Sequence, residues 1–326
     1  MQHLPTTRRA FSVGMACTAL ALSSAALAQS KITRIIVAFP PGGPVDFVAR
    51  TLAEQLGKEL GHQVIIENKA GANGAIAAEF VSKSAPDGST LWLTSVGAVA
   101  INPALYEKLA YDPVRDLTPV SLVVNNVEML VVGANAPYNT GAEFVAASRQ
   151  QKDKPLTMAS SGTGSVPHLA MELLSDAAKI NLTHVPYKGA APAITDVIAG
   201  HVDGFFGDIP GLVAHIKGGK LKPIGIAAPN RHPLFPEVKT FTEMGVPGVD
   251  SDNWYALFAA KGTPGAEIDR VNLAVRNTLN AEAVKSKLLA SGAEPASSTP
   301  AELAVLLKND AAKWARVVRS KNVKAD

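Results

Sequence analysis

The sequence has almost no cysteine. Cys17 is the single cysteine among 326 residues, and it falls in an N-terminal segment that we expect to be removed. The mature chain then has no thiol, which excludes disulfide bonds, thiolate catalysis and cysteine metal sites.

An excess of charge of one sign is also missing. The chain has 31 basic and 28 acidic residues, a formal net charge of +3. The first 28 residues contribute Arg8 and Arg9 and no acid, so the charge falls to +1 without them. Such a balance creates no strong field toward nucleic acid or an anionic membrane surface, and we expect neither as a partner.

Long apolar runs occur only near the start. Arg8 and Arg9 precede an apolar stretch over residues 11–22, and Ala26-Leu27-Ala28 ends the segment. This pattern predicts a signal peptide cleaved after Ala28, and hence export; a permanent anchor is the alternative, but the apolar stretch is short for a bilayer. Paired arginines leave the general and the twin-arginine export routes open.

The remaining 298 residues alternate between short apolar runs and helical patterns, which predicts an α/β fold with parallel sheets covered on both faces. Two longer apolar stretches, residues 120–132 and 250–260, lack a helical stripe and are predicted to be crossing strands of a hinge. We therefore expect two α/β domains, 29–128 with 253–326 and an inserted 129–252. Buried strands are predicted at residues 35–38, 64–66, 91–93, 156–159, 182–185, 204–206 and 224–227.

The first candidate binding loop joins a predicted strand to a helix through Pro40-Pro41-Gly42-Gly43-Pro44. Prolines carry no N–H, so the backbone donors are those of Gly42, Gly43, Val45 and Asp46, beside Phe39. Amides at the positive end of a helix bind anions. The alternative is a structural turn in which Asp46 caps its own helix.

A second loop, also before a predicted helix, is rich in small donors. It consists of Ser160, Ser161, Gly162, Thr163, Gly164 and Ser165. Ser95 and Asp208 follow other predicted strands, at the sheet edge where α/β proteins bind ligands. Asp208 could instead cap the next helix, and Lys188 could be a surface residue rather than a clamp. Trp254 and Tyr255 are predicted to be hinge or core aromatics.

Enzyme signatures are poor. No nucleophile elbow surrounds Ser165, the histidines show no zinc spacing, and neither a dinucleotide fingerprint nor a phosphate-binding loop occurs. We therefore expect no catalytic residue, metal or cofactor. Two alternatives stay open: a serine hydrolase that uses Ser165 with His168, and a ligand-sensing module without transport.

The chain resembles the Bug/TctC receptors, the periplasmic substrate-binding components of tripartite tricarboxylate transporters. The resemblance runs along nearly the whole mature chain, through residues 36–43 with Asp46 and Arg50, 64–74, 102–106, 161–165 with 168–170, and 185–189. It implies a type II periplasmic-binding-protein fold: two α/β domains, a two-strand hinge and a ligand-enclosing cleft. It also implies a receptor that delivers a small carboxylate to membrane permease subunits, and we expect this receptor to be a monomer. The first-loop backbone, the serine-rich loop and Asp208 are then expected to line the cleft.

One departure from the family pattern concerns the ligand. Pro44-Val45 stands where the family usually has a small residue followed by Thr or Ser before the loop aspartate. One backbone donor and one hydroxyl are therefore missing. We expect a ligand with a less hydrated part, a monocarboxylate or aromatic acid rather than citrate.

Overall fold

The computed structural model describes residues 32–151 and 153–324. The predicted signal peptide and its cleavage site lie outside these residues. The strands are β1 Ile32–Val37, β2 Gln63–Asn68, β3 Thr90–Ser95, β4 Leu117–Gly133, β5 Leu156–Ser160, β6 Leu182–Pro186, β7 Gly204–Asp208, β8 Leu221–Ile226, β9 Asp252–Ala260 and β10 Glu294–Pro295.

Helices fill the intervals, as the sequence predicts. They are α1 Pro44–Leu60, α2 Ala75–Ser82, α3 Asn102–Leu105, α4 Gly141–Gln150, α5 Val166–Ala178, α6 Ala190–Ala199, α7 Ile209–Lys217, α8 Gly265–Asn280, α9 Glu282–Ser291 and α10 Pro300–Ser320. A 3₁₀ turn, Ala72–Gly74, and a π-helical turn, Gly97–Ile101, precede α2 and α3.

The strands form one continuous path in the order β2-β1-β3-β9-β4-β7-β5-β6, and β8 and β10 also pair with β4. β4 is 17 residues long and belongs to both halves of this path. The two predicted crossing strands, β4 and β9, lie side by side. They are antiparallel to their neighbours, so the expectation of purely parallel sheets is wrong at the crossing.

Two strands predicted to be buried lie at the ends of the path. No residue of β2 or β6 is buried, whereas every residue of β7 is buried. An edge strand has a neighbour on one side only. The apolar content of these strands therefore indicated their existence but not their burial.

Local signals in the helices are well reproduced. Val48, Leu52 and Leu56 form the buried stripe of α1, and Gly61 ends it in the left-handed conformation, with φ of 74°. Thr299 and Glu302 form a complete capping box at α10. At α4 only half of a capping box is present: the Thr140 hydroxyl accepts the Glu143 N–H, but the Glu143 carboxylate accepts the N–H of Asn139 instead of that of Thr140.

Apolar side chains gather in three clusters. The largest contains residues between 35 and 124 and between 254 and 318, together with Val166 and Leu169 of α5. The other two lie entirely between residues 129 and 249, on the two faces of the second half of the path. The predicted domain boundaries at 129 and 252 stay a prediction. None of the described helices is both long and apolar enough to cross a bilayer.

Candidate functional site

Four α-helices begin at the wall of one pocket. Val45 lies in the first turn of α1, Val166 begins α5, Ala190 begins α6, and Asp208 immediately precedes α7. We call this cavity the helix-terminus pocket. The space between its walls is about 440 Å³ when the opening to solvent is included. Its lining is Phe39, Pro40, Gly43, Pro44, Val45, Ser95, Ser161, Ser165, Val166, Pro167, Ala190, Phe205, Asp208 and Asn253.

The charge of the lining is unusual for an anion site. Asp208 is the only ionisable side chain in it, and no Lys, Arg or His of the described chain contributes. A positive potential comes instead from the helix N-termini, where backbone N–H groups lack helical acceptors. Lys188 lines a neighbouring cavity, the Lys188 pocket, which shares Phe39 and Ser161 with the first.

In the first loop, part of the predicted donor set holds the turn together. The Gly42 N–H donates to Asp46 Oδ2 at 3.0 Å, and the Gly43 N–H points to the Pro40 carbonyl at 3.4 Å. Arg50 Nε and Asn68 Nδ2 also donate to Asp46, both at 2.9 Å. Burial alone would raise the pKa of Asp46, but these hydrogen bonds lower it overall.

Asp46, which lies in the first turn of α1, therefore stabilises the conformation of the loop. The N-cap is Gly43, and no side chain caps it. Pro44 has no N–H, and the Phe47 N–H bonds back to Gly43. In the first turn of α1, the amides of Val45 and Asp46 are therefore the candidate ligand donors, because helical geometry supplies no acceptor for them.

The serine-rich loop is likewise bonded to itself. The Gly162 N–H donates to Ser160 Oγ, the Gly164 N–H to His168 Nδ1, and the Ser165 N–H to the Gly162 carbonyl. Ser160 is fully buried, and its hydroxyl contacts the His184 ring.

Fewer residues of the serine-rich loop line the helix-terminus pocket than the composition of the loop suggests. Ser161, Ser165 and Val166 line the pocket. The Val166 amide, at the first position of α5, lacks a helical acceptor. Gly162 and Thr163 face the Lys188 pocket instead. The sequence-predicted residues that line the helix-terminus pocket are Phe39, Gly43, Val45, Ser95, Ser161, Ser165 and Asp208; those that do not are Gly42, Asp46, Ser160, Gly162, Thr163 and Gly164.

Ser165 and His168 are not arranged as a nucleophile and its base. Ser165 Oγ accepts the backbone N–H of His168 at 3.4 Å, which is a helix N-cap. The His168 ring uses Nδ1 to accept from Gly164 and stacks on His184 with a centroid distance of 3.7 Å. The contact predicted for a hydrolase is therefore a capping contact.

Asp208 forms the floor of the pocket. It is the N-cap residue of α7, but its side chain makes no cap bond. Instead, Asn253 Nδ2 donates to both carboxylate oxygens, at 2.9 and 3.1 Å, and the Tyr255 hydroxyl donates to Oδ2. Burial raises the pKa of Asp208 to about 6, and the hydrogen bonds from Tyr255 and Asn253 oppose that rise.

Sequence reasoning missed Asn253, which lies on β9 and is buried at 4% exposure. A polar amide just before the apolar run of β9 was the available signal. It also missed the apolar wall residues Phe205 and Ala190, which look like ordinary core residues in sequence. Among the described residues, no group of three or more His, Cys, Asp or Glu side chains could hold a metal.

Solved structures with the same mixed α/β fold as this chain are periplasmic solute-binding proteins, which confirms the predicted fold class. The chain belongs to the TctC family: residues 48–323 match the family described as the tripartite tricarboxylate transporter family receptor.

Similar proteins cover most of the chain. BugT of Bordetella pertussis is 35% identical over 296 residues, which are 89% of each chain. MatC of Rhodopseudomonas palustris, solved with bound malate, is 35% identical, with a TM-score of 0.82 over 88% of this chain and 99% of that one. An R. palustris protein solved with adipate is 29% identical, with a TM-score of 0.88 over 92% of this chain and all of the other.

Proposed function

We propose that this protein is a periplasmic receptor that captures a small carboxylate in the helix-terminus pocket and delivers it to a tripartite tricarboxylate-type permease. One observation carries the proposal: four helix N-termini surround a pocket that has no basic side chain. Oriented amides and dipoles suit a carboxylate there. The malate and adipate in two similar proteins support the same ligand class.

The donors available to a carboxylate are few and well placed. They include the amides of Val45, Val166 and Ala190 and the hydroxyls of Ser95, Ser161 and Ser165. A hydrogen bond to a charged group contributes about 1.5–3 kcal/mol, and association costs about 4–15 kcal/mol. We therefore expect micromolar dissociation constants, about −8 kcal/mol.

The rest of the wall favours an apolar ligand body. Phe39, Pro44, Val45, Pro167 and Phe205 are among its lining residues, and an apolar body gains by leaving water there. A monocarboxylate or aromatic acid fits this lining better than citrate, whose several carboxylates would need more donors. This is the ligand class that the Pro44-Val45 departure also indicates.

Calorimetry tests the ligand class. The mature protein, unfolded and refolded to remove any bound acid, is titrated with benzoate, adipate, malate and citrate. We expect micromolar binding of at least one of the first three and weaker binding of citrate. Failure of all four acids to bind would overturn the carboxylate proposal, and a clear preference for citrate would overturn the proposed apolar ligand body.

Delivery to a permease has a separate test. Uptake of the identified acid is measured in cells that lack the receptor, the permease subunits or both. We expect each single deletion to abolish high-affinity uptake, and the receptor gene alone not to restore it in the double deletion. Uptake that persists without the permease subunits would contradict this part of the proposal.

A further inference from the structure

Two buried carboxyl groups meet beneath the helix-terminus pocket. Glu128 on β4 and Asp208 on β7 are directly opposite each other in the antiparallel register. Their residues are 0% and 8% exposed. Glu128 is the single acid in β4, and the carboxylate-binding function proposed above makes no use of it.

The pair has too few hydrogen-bond donors around it for both carboxyl groups to be ionised at the same time. The Asn253 amide donates to both oxygens of Asp208 and, at 3.4 Å, to Glu128 Oε1; the Tyr255 hydroxyl adds one bond to Asp208. Glu128 Oε2 is buried without a partner in the described chain. Two adjacent carboxylates without a cation cannot both carry a charge in such a site.

No other charged group of the described chain relieves this repulsion. Tyr255 of β9 faces the pair and acts on both acids, while Asp252 of the same strand points to solvent at 65% side-chain exposure. On α1, Asp46 and Arg50 are paired with each other. No charge effect on either acid comes from His215 or Lys217 at the far end of α7, Lys222 on β8, Glu294 on β10, His168 on α5, or Asp310 and Lys313 on α10.

A second feature shows that the pair faces a ligand position. Asn253 lines the pocket, and its Oδ1 is buried without a partner in the described chain. A buried acceptor in such a position requires a donor from a ligand or an ordered water. The pair, through Asn253 and Asp208, is therefore part of the pocket wall.

We propose that Glu128 and Asp208 hold one proton between them in the free receptor, and that Asp208 takes up a second proton when a carboxylate binds. The inference rests on the proposed function. Glu128 is the positioning residue, because its carboxyl keeps the first proton beside Asp208. The protonated Asp208 then faces the bound anion as a neutral hydrogen-bond donor instead of a repelling charge.

The expected direction with pH follows from the same groups. Burial raises the pKa of Asp208 to about 6 and, together with repulsion from Asp208, raises the pKa of Glu128 well above its usual value. Above pH 6 the free pair has lost the proton that binding must restore. Affinity therefore falls as the pH rises from 6 to 8, approaching about tenfold per pH unit, the limit for uptake of one proton.

Calorimetry in buffers of different ionisation enthalpy measures proton uptake directly. The probe is whichever of benzoate, adipate and malate binds most tightly, since each is fully ionised above pH 6.5. We expect uptake approaching one proton at pH 7.5 for the natural protein. The Asp252→Asn variant, a change of an exposed acid on the neighbouring strand, keeps this uptake.

The Asp208→Asn variant tests whether residue 208 donates a hydrogen bond to the bound acid. The asparagine amide can donate as a protonated acid would, so this variant binds the probe without proton uptake and with an affinity independent of pH. Glu128→Gln replaces the protonated acid by a neutral amide donor, so this variant should still bind the probe with proton uptake at Asp208 while it lacks the second buried acid. A folded Asp208→Asn protein that loses all binding, or one that still takes up a proton, overturns the proposal.

An infrared measurement needs no ligand. At pH 7 the free protein should show the carbonyl band of a buried protonated carboxyl group, and Glu128→Gln should remove it. Absence of that band from the natural protein contradicts the shared proton. If no acid binds at any pH while the band is present, the proposed receptor function is contradicted, whereas the proton shared by Glu128 and Asp208 in the free protein is supported.

Discussion

The acids Glu128 and Asp208 give this protein an unusual pH dependence of stability. Their pKa values are raised in the folded protein, whereas in the unfolded chain Asp and Glu have values near 4. Above about pH 4 the folded state therefore holds more protons than the unfolded one, through both acids up to about pH 6 and through Glu128 beyond it. Stability from this pair is largest below about pH 4 and falls as the pH rises from there through 6.

Replacing Glu128 by Gln removes one of the two acids and offers an amide donor to Asp208. Relative to the natural protein, we expect the unfolding free energy of the variant to increase as the pH rises above about 5, by at most about 1.4 kcal/mol per pH unit. Urea unfolding at several pH values measures the difference. Asp252→Asn is the matched control, and parallel curves for Glu128→Gln and the natural protein would contradict the expectation.

Val45 offers a test of ligand choice at a single side chain. It is 3% exposed and lines the helix-terminus pocket. Val45→Thr has nearly the same shape and adds one hydroxyl. We expect it to bind malate several-fold more tightly relative to benzoate, as measured by calorimetry with both acids. An unchanged ratio would mean that the side chain at this position does not set ligand polarity.

At the residue scale, the sequence indicated the binding loops better than the role of each donor in them. The Gly42 and Gly164 amides were plausible ligand donors, but the structure pairs them with Asp46 and His168. Such pairing depends on loop conformation, which composition does not determine. Asn253 and Glu128 were missed because strands distant in sequence bring them to Asp208.

At the element scale, a glycine allows the first binding loop and the start of α6 to lie close together. Gly189, the N-cap of α6, has φ of 123°. A Cβ atom there would lie 2.5 Å from Pro40 Cδ in the first binding loop. Real Cβ atoms do not make such contacts, so any side chain at residue 189 separates the loop from α6.

Gly189→Ala should therefore hold the cleft open. We expect about a tenfold weaker affinity for the bound acid, equivalent to about 1.4 kcal/mol, and a larger radius of gyration by small-angle X-ray scattering with ligand present. Gly200→Ala is the control, since Gly200 also has positive φ, 77°, but no atom lies within 4 Å of its Cβ position. Equal binding by both variants would remove the steric role of Gly189.

The order of strands and helices was predictable because each element carries its own periodicity and end signals. The stripe of α1 with Gly61, and Thr299 with Glu302 at α10, are local patterns that the structure reproduces. The direction of β9 beside β3 and β4 was not predictable in this way. It depends on where the chain returns after the inserted segment.

At the scale of the whole molecule, the segment predicted to be an inserted domain has apolar cores of its own. Two clusters contain only residues from 129 to 249 at their buried centres. We expect a fragment of residues 129–252 to unfold cooperatively in urea, as a domain does. The matched fragment 29–128 lacks β9 and should not. A non-cooperative transition in the first fragment would contradict the proposed domain boundaries.

The position of β9 has a consequence for synthesis. β9 fills the gap between β3 and β4 in the middle of the strand path, yet it is made only after residue 251. While the ribosome is still translating the first three quarters of the chain, β3 has one exposed edge and the largest core is incomplete. Early folding is thereby delayed by sequence separation, and the largest core closes only after β9 and the helices that follow it have been made.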